Sequence, residues 1–510
     1  MGASRLSGAA LLLVLLSLAQ AGKNFWLFRQ YVLRLQEKHA MKEAYGRLQL
    51  LAQGPGPRAW HFLDSGSIRQ PLDHFNWQDS RTFNQRFWVN RKFWQRKGPV
   101  FLYIGGESEL MEYSVLSGHH VEMAEKYGAL VVALEHRFYG ASINPDGLED
   151  HNLQFLTSQQ ALTDLLSFHR FVIQKYKLAE NTTWICFGGS YPGNLAAWFR
   201  LKYPHLVFAA VASSAPVKAQ VDFTGYDKVV AASLSNPVIY GSKECLAAVT
   251  EAFSTVDNLV RARQLAKLAK DFRSCEPLEG MDDSVQLLYN LADIFMGAVQ
   301  YNGAFSFLPT VADLCSVMTN NRTGSTYQRL VTVNDRFIKT LGGPCMDYSF
   351  ADWLKVLRDT RVTEASMLRQ WFFQTCTEFG YYQTCDDPAC PFSHLMNLTS
   401  SLSICPQVYN ISFRRVQEAV AFTNDYYGAD HPKASRVLFV NGDIDPWHVL
   451  SVLKNQSLSE TAILINGTSH CANMFPSSPK DPLPLVQARQ QISTQVGKWL
   501  ELARTMHQDS

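Results

Sequence analysis

Thr183-Trp184-Ile185-Cys186-Phe187-Gly188-Gly189-Ser190-Tyr191-Pro192-Gly193 is the stretch on which the fold turns. A run with the composition of a buried strand meets two glycines, a serine stands at the apex, and Asn194 to Tyr203 continues at helical spacing until Pro204. Small residues are needed there because strand and helix nearly touch at so tight a turn. The strain leaves the serine Oγ exposed, and the next backbone N–H faces a developing oxyanion. The stretch therefore reads as a nucleophile elbow, with Ser190 as nucleophile and Tyr191 as one oxyanion donor. The competing reading is a glycine turn with a capping serine, since serine is a good N-cap. Pro192 stands where the G-x-S-x-G form has its second glycine. Proline disfavours the helical region for Tyr191 before it, yet is tolerated in a first helical turn, where its missing N–H has no partner.

Working outward, short apolar runs occur at Val100–Ile104, Leu130–Leu134, Thr183–Phe187, Phe208–Ser213 and Val437–Val440. They lack strict alternation, as strands covered on both faces do. Helical patterns fill Ala161 to Tyr176 and Asn194 to Tyr203, so the order strand, helix, strand predicts a parallel sheet with crossover helices. Between residues 222 and 431 the texture is helical instead, with Val249, Phe253, Val256, Leu259 and Val260 at three- and four-residue steps. The expectation is an α/β sheet domain in two pieces, 58–221 and 432–510, around a helical insertion at 222–431. Neither repeats nor low-complexity tracts stand out.

A hydrolase of this type orders its triad serine, acid, histidine, with the acid after a late strand and the histidine in a later loop. Val437–Val440 ends in Asn441-Gly442-Asp443-Ile444-Asp445-Pro446-Trp447, and Ile463-Leu464-Ile465 leads through a turn to Ser469-His470. His470 is the expected general base. Both Asp443 and Asp445 fit the acid, and either could instead form the turn. Gly105-Gly106 after Val100–Ile104 offers Gly106 as the second oxyanion donor. Glu135-His136-Arg137-Phe138-Tyr139-Gly140 reads as a polar cluster beneath the site, whose buried charges need each other as partners.

The bulk composition is that of an ordinary globular protein. In 510 residues a formal charge of +2 gives no electrostatic case for nucleic acid. Arg5, the apolar run Ala9 to Leu18 and Ala19-Gln20-Ala21 describe a secretory signal peptide over 1–21, its apolar run too short to span a bilayer. Residues 22–57 read as an amphipathic leader or propeptide ending at Gly54-Pro55-Gly56-Pro57, and no other segment invites membrane insertion. Glycosylation sequons stand at Asn181, Asn321, Asn397, Asn410, Asn455 and Asn466. Of ten cysteines, Cys245, Cys275, Cys315, Cys345, Cys376, Cys385, Cys390 and Cys405 cluster in the helical stretch, which reads as up to four disulfides. Paired zinc spacings do not occur, so neither metal nor cofactor is expected.

Taken together, Gly105-Gly106-Glu107, Glu135 to Gly140, Leu156-Thr157 with Gln160-Ala161-Leu162, Gly188-Gly189-Ser190-Tyr191, Gln374-Thr375-Cys376-Thr377-Glu378, Asn441-Gly442 with Asp445-Pro446-Trp447, and His470 form a recognisable set. The set resembles the lysosomal Pro-X carboxypeptidase and dipeptidyl peptidase II family of serine peptidases, over nearly the whole mature chain and in order. The resemblance implies an α/β-hydrolase fold, Asp445 as the acid, and a helical lid restricting the cleft to peptides, commonly near a terminus and often at proline. It also implies the pairings Cys245–Cys315, Cys275–Cys345, Cys376–Cys405 and a local Cys385–Cys390 bridge. The carboxypeptidase of that family has two histidines in a row at the base position, where this chain has Cys471 after His470. The expected function is peptide hydrolysis in the endosomal or lysosomal pathway or outside the cell, with a part in antigen-peptide processing; a homodimer is compatible. The alternatives are a catalytically silent binding protein of the same fold and an esterase.

Overall fold

The computed structural model describes residues 62–304, 308–363 and 367–508, so the expected signal peptide and leader lie outside the described residues. The chain forms two compact units. One contains a mixed eight-stranded sheet, with strands β1 (Leu63–Pro71), β2 (Thr82–Asn90), β3 (Val100–Ile104), β4 (Leu130–Leu134), β5 (Trp184–Gly189), β6 (Ala209–Ser213), β7 (Val437–Gly442) and β8 (Glu460–Ile465). Their order across the sheet is β1-β2-β4-β3-β5-β6-β7-β8. β1 and β2 pair antiparallel, β2 meets β4 antiparallel, and every later neighbour is parallel. This is an α/β-hydrolase-like arrangement, and it sets the carboxyl ends of β5, β6 and β7 side by side, the usual location of a site in such sheets.

The strands form for the reason their composition suggests. β4 (LVVAL) and β6 (AAVAS) are buried along their whole length, as central strands covered on both faces are. On one face Phe101, Val131, Ile185, Phe187, Val211, Leu438 and Val440 pack in one cluster with Leu485, Ile492, Val496 and Trp499 of the helix Leu483–Gln508. Each such side chain contributes about 1.5–3 kcal/mol on burial. β1 and β2, in contrast, bury polar side chains. Gln70 and Gln85 are inaccessible, and Gln70 donates to Gln85 and to the Asp164 carbonyl at 2.8 and 3.0 Å. That polar filling conceals both strands from a hydrophobicity reading.

The other unit comprises 222–358 and 382–410 among the described residues. Lys243–Arg261 buries Cys245, Val249, Ala252, Phe253, Val256 and Val260, one stripe at helical spacing. Met281–Gln300 is buried around most of its circumference, and Phe253, Phe295 and Phe392 form a ring cluster with centroids 4.9–6.2 Å apart. Helix starts carry explicit signals: Ser242 caps the first of these helices, while Thr310 with Asp313 and Ser325 with Gln328 form capping boxes. Cys245 is bonded to Cys315 and Cys275 to Cys345, each across 70 residues, and Cys385 to Cys390. Cys376 and Cys405 are also in disulfide form, which leaves Cys186 and Cys471 as thiols.

Candidate active site

Ser190 follows β5 directly with φ +62° and ψ −134°, a backbone conformation that costs a non-glycine residue of order 1–3 kcal/mol. The turn is held from both sides. Ser190 N–H donates to the Ser213 carbonyl at 2.9 Å, and the Ser190 carbonyl accepts from Gly193 N at 2.9 Å to open the helix Tyr191–Lys202. The Ser190 side chain makes no capping bond, so the hydroxyl is not consumed by the turn. Close approach explains the glycines. A Cβ on Gly188 would fall 2.1 Å from the Pro192 carbonyl oxygen, and one on Gly193 would fall 2.9 Å from the Ala215 Cβ.

Pro192 occupies the first helical turn. Its ring lies over Gly106, where an added Cβ would meet Pro192 Cγ at 2.3 Å. The loop after β3 and the elbow are therefore in contact through that ring. Among the described residues, neither Gly106 N–H nor Tyr191 N–H has a backbone acceptor. Two amides thus stay available on adjoining loops.

The two aspartates after β7 part company. Asp445 is fully buried; its Oδ1 accepts Trp447 N–H at 3.0 Å, and its Oδ2 lies 2.9 Å from His470 Nδ1. Asp443 is half-buried and accepts Gly467 N–H at 2.7 Å, tying the β7 turn to the turn after β8. Burial works against a charged His470, but the Asp445 carboxylate and Cys471 together outweigh it and hold the imidazole pKa well above the usual value.

The histidine loop is fastened to the elbow through the end of β6. Cys471 N–H donates to Ser214 Oγ at 2.9 Å, and Asn473 Nδ2 to Ser213 Oγ at 2.8 Å, next to the carbonyl that holds Ser190 N. A Cβ on Gly189 would stand 2.8 Å from Cys471 Sγ and 2.3 Å from Met474 Sδ. The residue before the serine and the residue after the histidine pack against each other.

The charged groups of the polar cluster after β4 find their ionic partners on other elements, not in each other. Glu135 pairs with Arg86 at 2.5 Å, and Arg137 makes two bonds to Asp164 at 2.7 and 2.8 Å, with Asp164 also 2.7 Å from His74. Burial opposes the charge on Asp164, but Arg137 and His74 hold its pKa below the ordinary range. His136 is pushed down to about 4 by burial, and its Nε2 lies 2.9 Å from the Tyr191 hydroxyl. The sequence motif containing Gln374 and Glu378 carried no assigned role, yet both lie buried in the sheet unit, and Gln374 Nε2 donates to the same Tyr191 hydroxyl at 3.2 Å.

The family model for serine carboxypeptidase S28 matches residues 70–492. The chain belongs to the serine carboxypeptidase S28 family. It is thus a serine-type peptidase, from an exopeptidase family whose substrates are peptides. Among S28 relatives it is 44% identical to thymus-specific serine protease of Homo sapiens, covering 93% of this chain and 94% of the relative. The mouse (Mus musculus) protein of that name is also 44% identical, covering 93% of both chains. Lysosomal Pro-X carboxypeptidase of Bos taurus is 28% identical over 85% of this chain and 87% of its own. The motifs around Asp445-Pro446-Trp447 and Ser469-His470-Cys471 had the look of thymus-specific serine protease within the S28 group, in keeping with these identities. The disulfides point to the secretory pathway, and among the described residues no helix is long and apolar enough to cross a membrane.

Proposed function

We propose that this S28 peptidase cleaves peptides by acyl transfer to Ser190, with His470 as general base and Asp445 as its orienting acid. His470 takes the hydroxyl proton as Oγ attacks the scissile carbonyl carbon. It then returns that proton to the leaving amine, and water releases the acyl group by the same steps. Asp445 holds Nδ1 protonated, which leaves Nε2 as the base. The N–H groups of Tyr191 and Gly106 are the oxyanion donors, and Pro192 serves the hole by spacing the two loops. The observation that carries the reading is the 2.9 Å Asp445–His470 contact on a loop packed against Gly189, the residue before the strained serine.

The substrates we assign are peptides cut near a terminus, with proline favoured at the cleavage site, in endosomes, lysosomes or outside the cell; trimming of antigenic peptides is one such use. The name of the Pro-X carboxypeptidase relative supports the proline preference, and five of the six sequons, all but Asn397, lie at exposed asparagines suited to glycosylation. A fluorophosphonate probe is expected to label the folded protein and to fail on Ser190→Ala. No labelling of folded wild type between about pH 5 and 8 would instead point to a silent binding protein. Mass-spectrometric mapping of cuts in a peptide library, run beside short acyl esters, would test the terminus and proline preferences and expose an esterase.

A further inference from the structure

One buried chain of hydrogen bonds runs from the elbow to a carboxyl group that the triad does not use. His136 Nδ1 donates to the Arg137 carbonyl at 2.7 Å, which leaves Nε2 as an acceptor for the Tyr191 hydroxyl at 2.9 Å. The Tyr191 oxygen accepts from Gln374 Nε2 at 3.2 Å. Gln374 Oε1 accepts the Tyr139 hydroxyl at 2.6 Å, which fixes which way the amide points. The second Gln374 hydrogen reaches Glu378 Oε2 at 3.4 Å. Glu378 also accepts Ser158 N–H at 2.9 and 3.1 Å and Ser158 Oγ at 2.6 Å, and that hydroxyl lies 2.9 Å from Tyr427 Oη. The carboxyl sits on a π-helical turn, Thr375–Phe379, an element that recurs at functional sites.

We propose that Glu378 is a positioning residue for the Tyr191 oxyanion donor, acting through Gln374, and that its ionised form is the competent one. The inference rests on the reading of Ser190 as nucleophile and Tyr191 N–H as part of the hole. The argument is one of donors and acceptors. An ionised carboxyl can accept every donor aimed at it. A neutral one turns its O–H towards Ser158 Oγ, which then accepts and donates on to Tyr427, and the uncharged oxygen left to Gln374 is a weaker acceptor. One anchor of the Gln374 amide then loosens, and with it the bond that fixes the Tyr191 side chain opposite His136. The Tyr191 amide lies on the same residue, and small displacements of such groups are costly to the transition state.

The groups facing Glu378 are Ser158 at the start of helix Ser158–Tyr176, Gln374 on its own segment, and the phenols of Tyr191, Tyr381 and Tyr427; His136 and Tyr139 reach it through Gln374. Among the described residues it makes no ion pair with a cation, and burial raises its pKa to about 7 despite the Ser158 bonds. Its proton therefore moves within the acid limb of a peptidase whose histidine must be neutral.

The test is the acid limb of log kcat/KM against pH for wild type, Glu378→Gln, Tyr191→Phe and Ser190→Ala, on one peptide substrate. Wild type is expected to lose activity on a limb that steepens to two protons below about pH 7, where Glu378 adds its proton to that of His470, and Glu378→Gln and Tyr191→Phe on a one-proton limb. Tyr191→Phe keeps the amide and ring and covers the case of a Glu378 variant that does not fold. At high pH, Glu378→Gln should lower kcat about tenfold with KM within about twofold. Limbs identical to wild type in the folded variants, with Ser190→Ala inactive, would overturn the inference alone. Turnover by Ser190→Ala would instead overturn the nucleophile assignment.

Discussion

Asp445 divides its two carboxylate oxygens between a structural and a chemical partner, Trp447 N–H at 3.0 Å and His470 Nδ1 at 2.9 Å. The first bond caps the short helix Pro446–Leu450 and fixes the carboxylate, so the second oxygen meets the imidazole without a search. Asp445→Asn keeps the cap by leaving its carbonyl oxygen on Trp447 N–H, so the amide N–H faces Nδ1 and the wrong histidine tautomer results. The expected loss in kcat is about 10⁴-fold with the fold intact. Asp443→Asn, whose carboxylate bonds the backbone N–H groups of its own turn and of Gly467, should retain activity within about tenfold. Steady-state kinetics beside circular dichroism on both variants checks the contrast; equal losses would remove the distinction.

Gly106 and Pro192 make a second pair whose dependence is measurable. A methyl group at Gly106 would stand 2.3 Å from Pro192 Cγ, so the loop after β3 and the elbow must separate. Gly106→Ala is expected to lower kcat about 10²-fold by spreading the two oxyanion donors. Pro192→Gly removes the obstructing ring, and the double variant should recover activity relative to Gly106→Ala. The coupling, read from a double-mutant cycle, is expected at about 1–3 kcal/mol. Additive losses would show that the ring does not set the spacing.

Much of this architecture was legible before any coordinates, for identifiable reasons. The runs Val100–Ile104 and Leu130–Leu134 coincide with β3 and β4 because a strand covered on both faces must be apolar throughout. β1 and β2 escaped because Gln70 and Gln85 point inward, bonded to each other and to Asp164 and the Glu135 carbonyl, which breaks the apolar alternation. At the site, the turn chemistry of Gly188 to Ser190 exposed the elbow, whereas the residues alone left Asp443 and Asp445 equivalent. Only the burial of Asp445 against His470 separates them. The partners of Glu135 and Arg137 were misjudged, because chain proximity says nothing of Arg86 and Asp164, which arrive from other elements. Glu378 had no local signal beyond its motif, since its role depends on groups more than 180 residues away in the chain, Ser158 and Tyr191 among them.

The helical unit should owe much of its stability to its two long-range bridges. Cys245–Cys315 and Cys275–Cys345 each close 70 residues, and loops of that length are worth about 4 kcal/mol apiece in the chain-entropy description. Cys385–Cys390 closes only five and restrains the unfolded chain far less. Replacing either long-range pair with serines should lower the unfolding temperature clearly more than replacing the short pair. Differential scanning calorimetry of the three double variants would settle the ranking, and equal shifts would contradict it.

Acid should stabilise the chain and suppress its catalysis, and Glu378 links the two effects. Its pKa moves from 4.5 to about 7 because burial penalises the carboxylate. The folded state thus holds a proton that the unfolded state has released, and the stabilisation is full below about pH 4.5 and lost as pH rises to about 7. For one group that difference is worth about 3 kcal/mol. His470, raised by Asp445, has the same sign: its contribution is present below its unfolded value and is lost as pH climbs through its higher folded one. Catalysis runs the other way, since His470 must be neutral to accept the serine proton, so kcat/KM should rise with pH and level off only above the raised pKa of His470. Wild type is expected to melt at progressively lower temperature between about pH 4.5 and 7, and Glu378→Gln to lose a large part of that slope. If variant and wild type show parallel melting curves against pH, the carboxyl at residue 378 is already ionised in acid, and burial does not control it as argued.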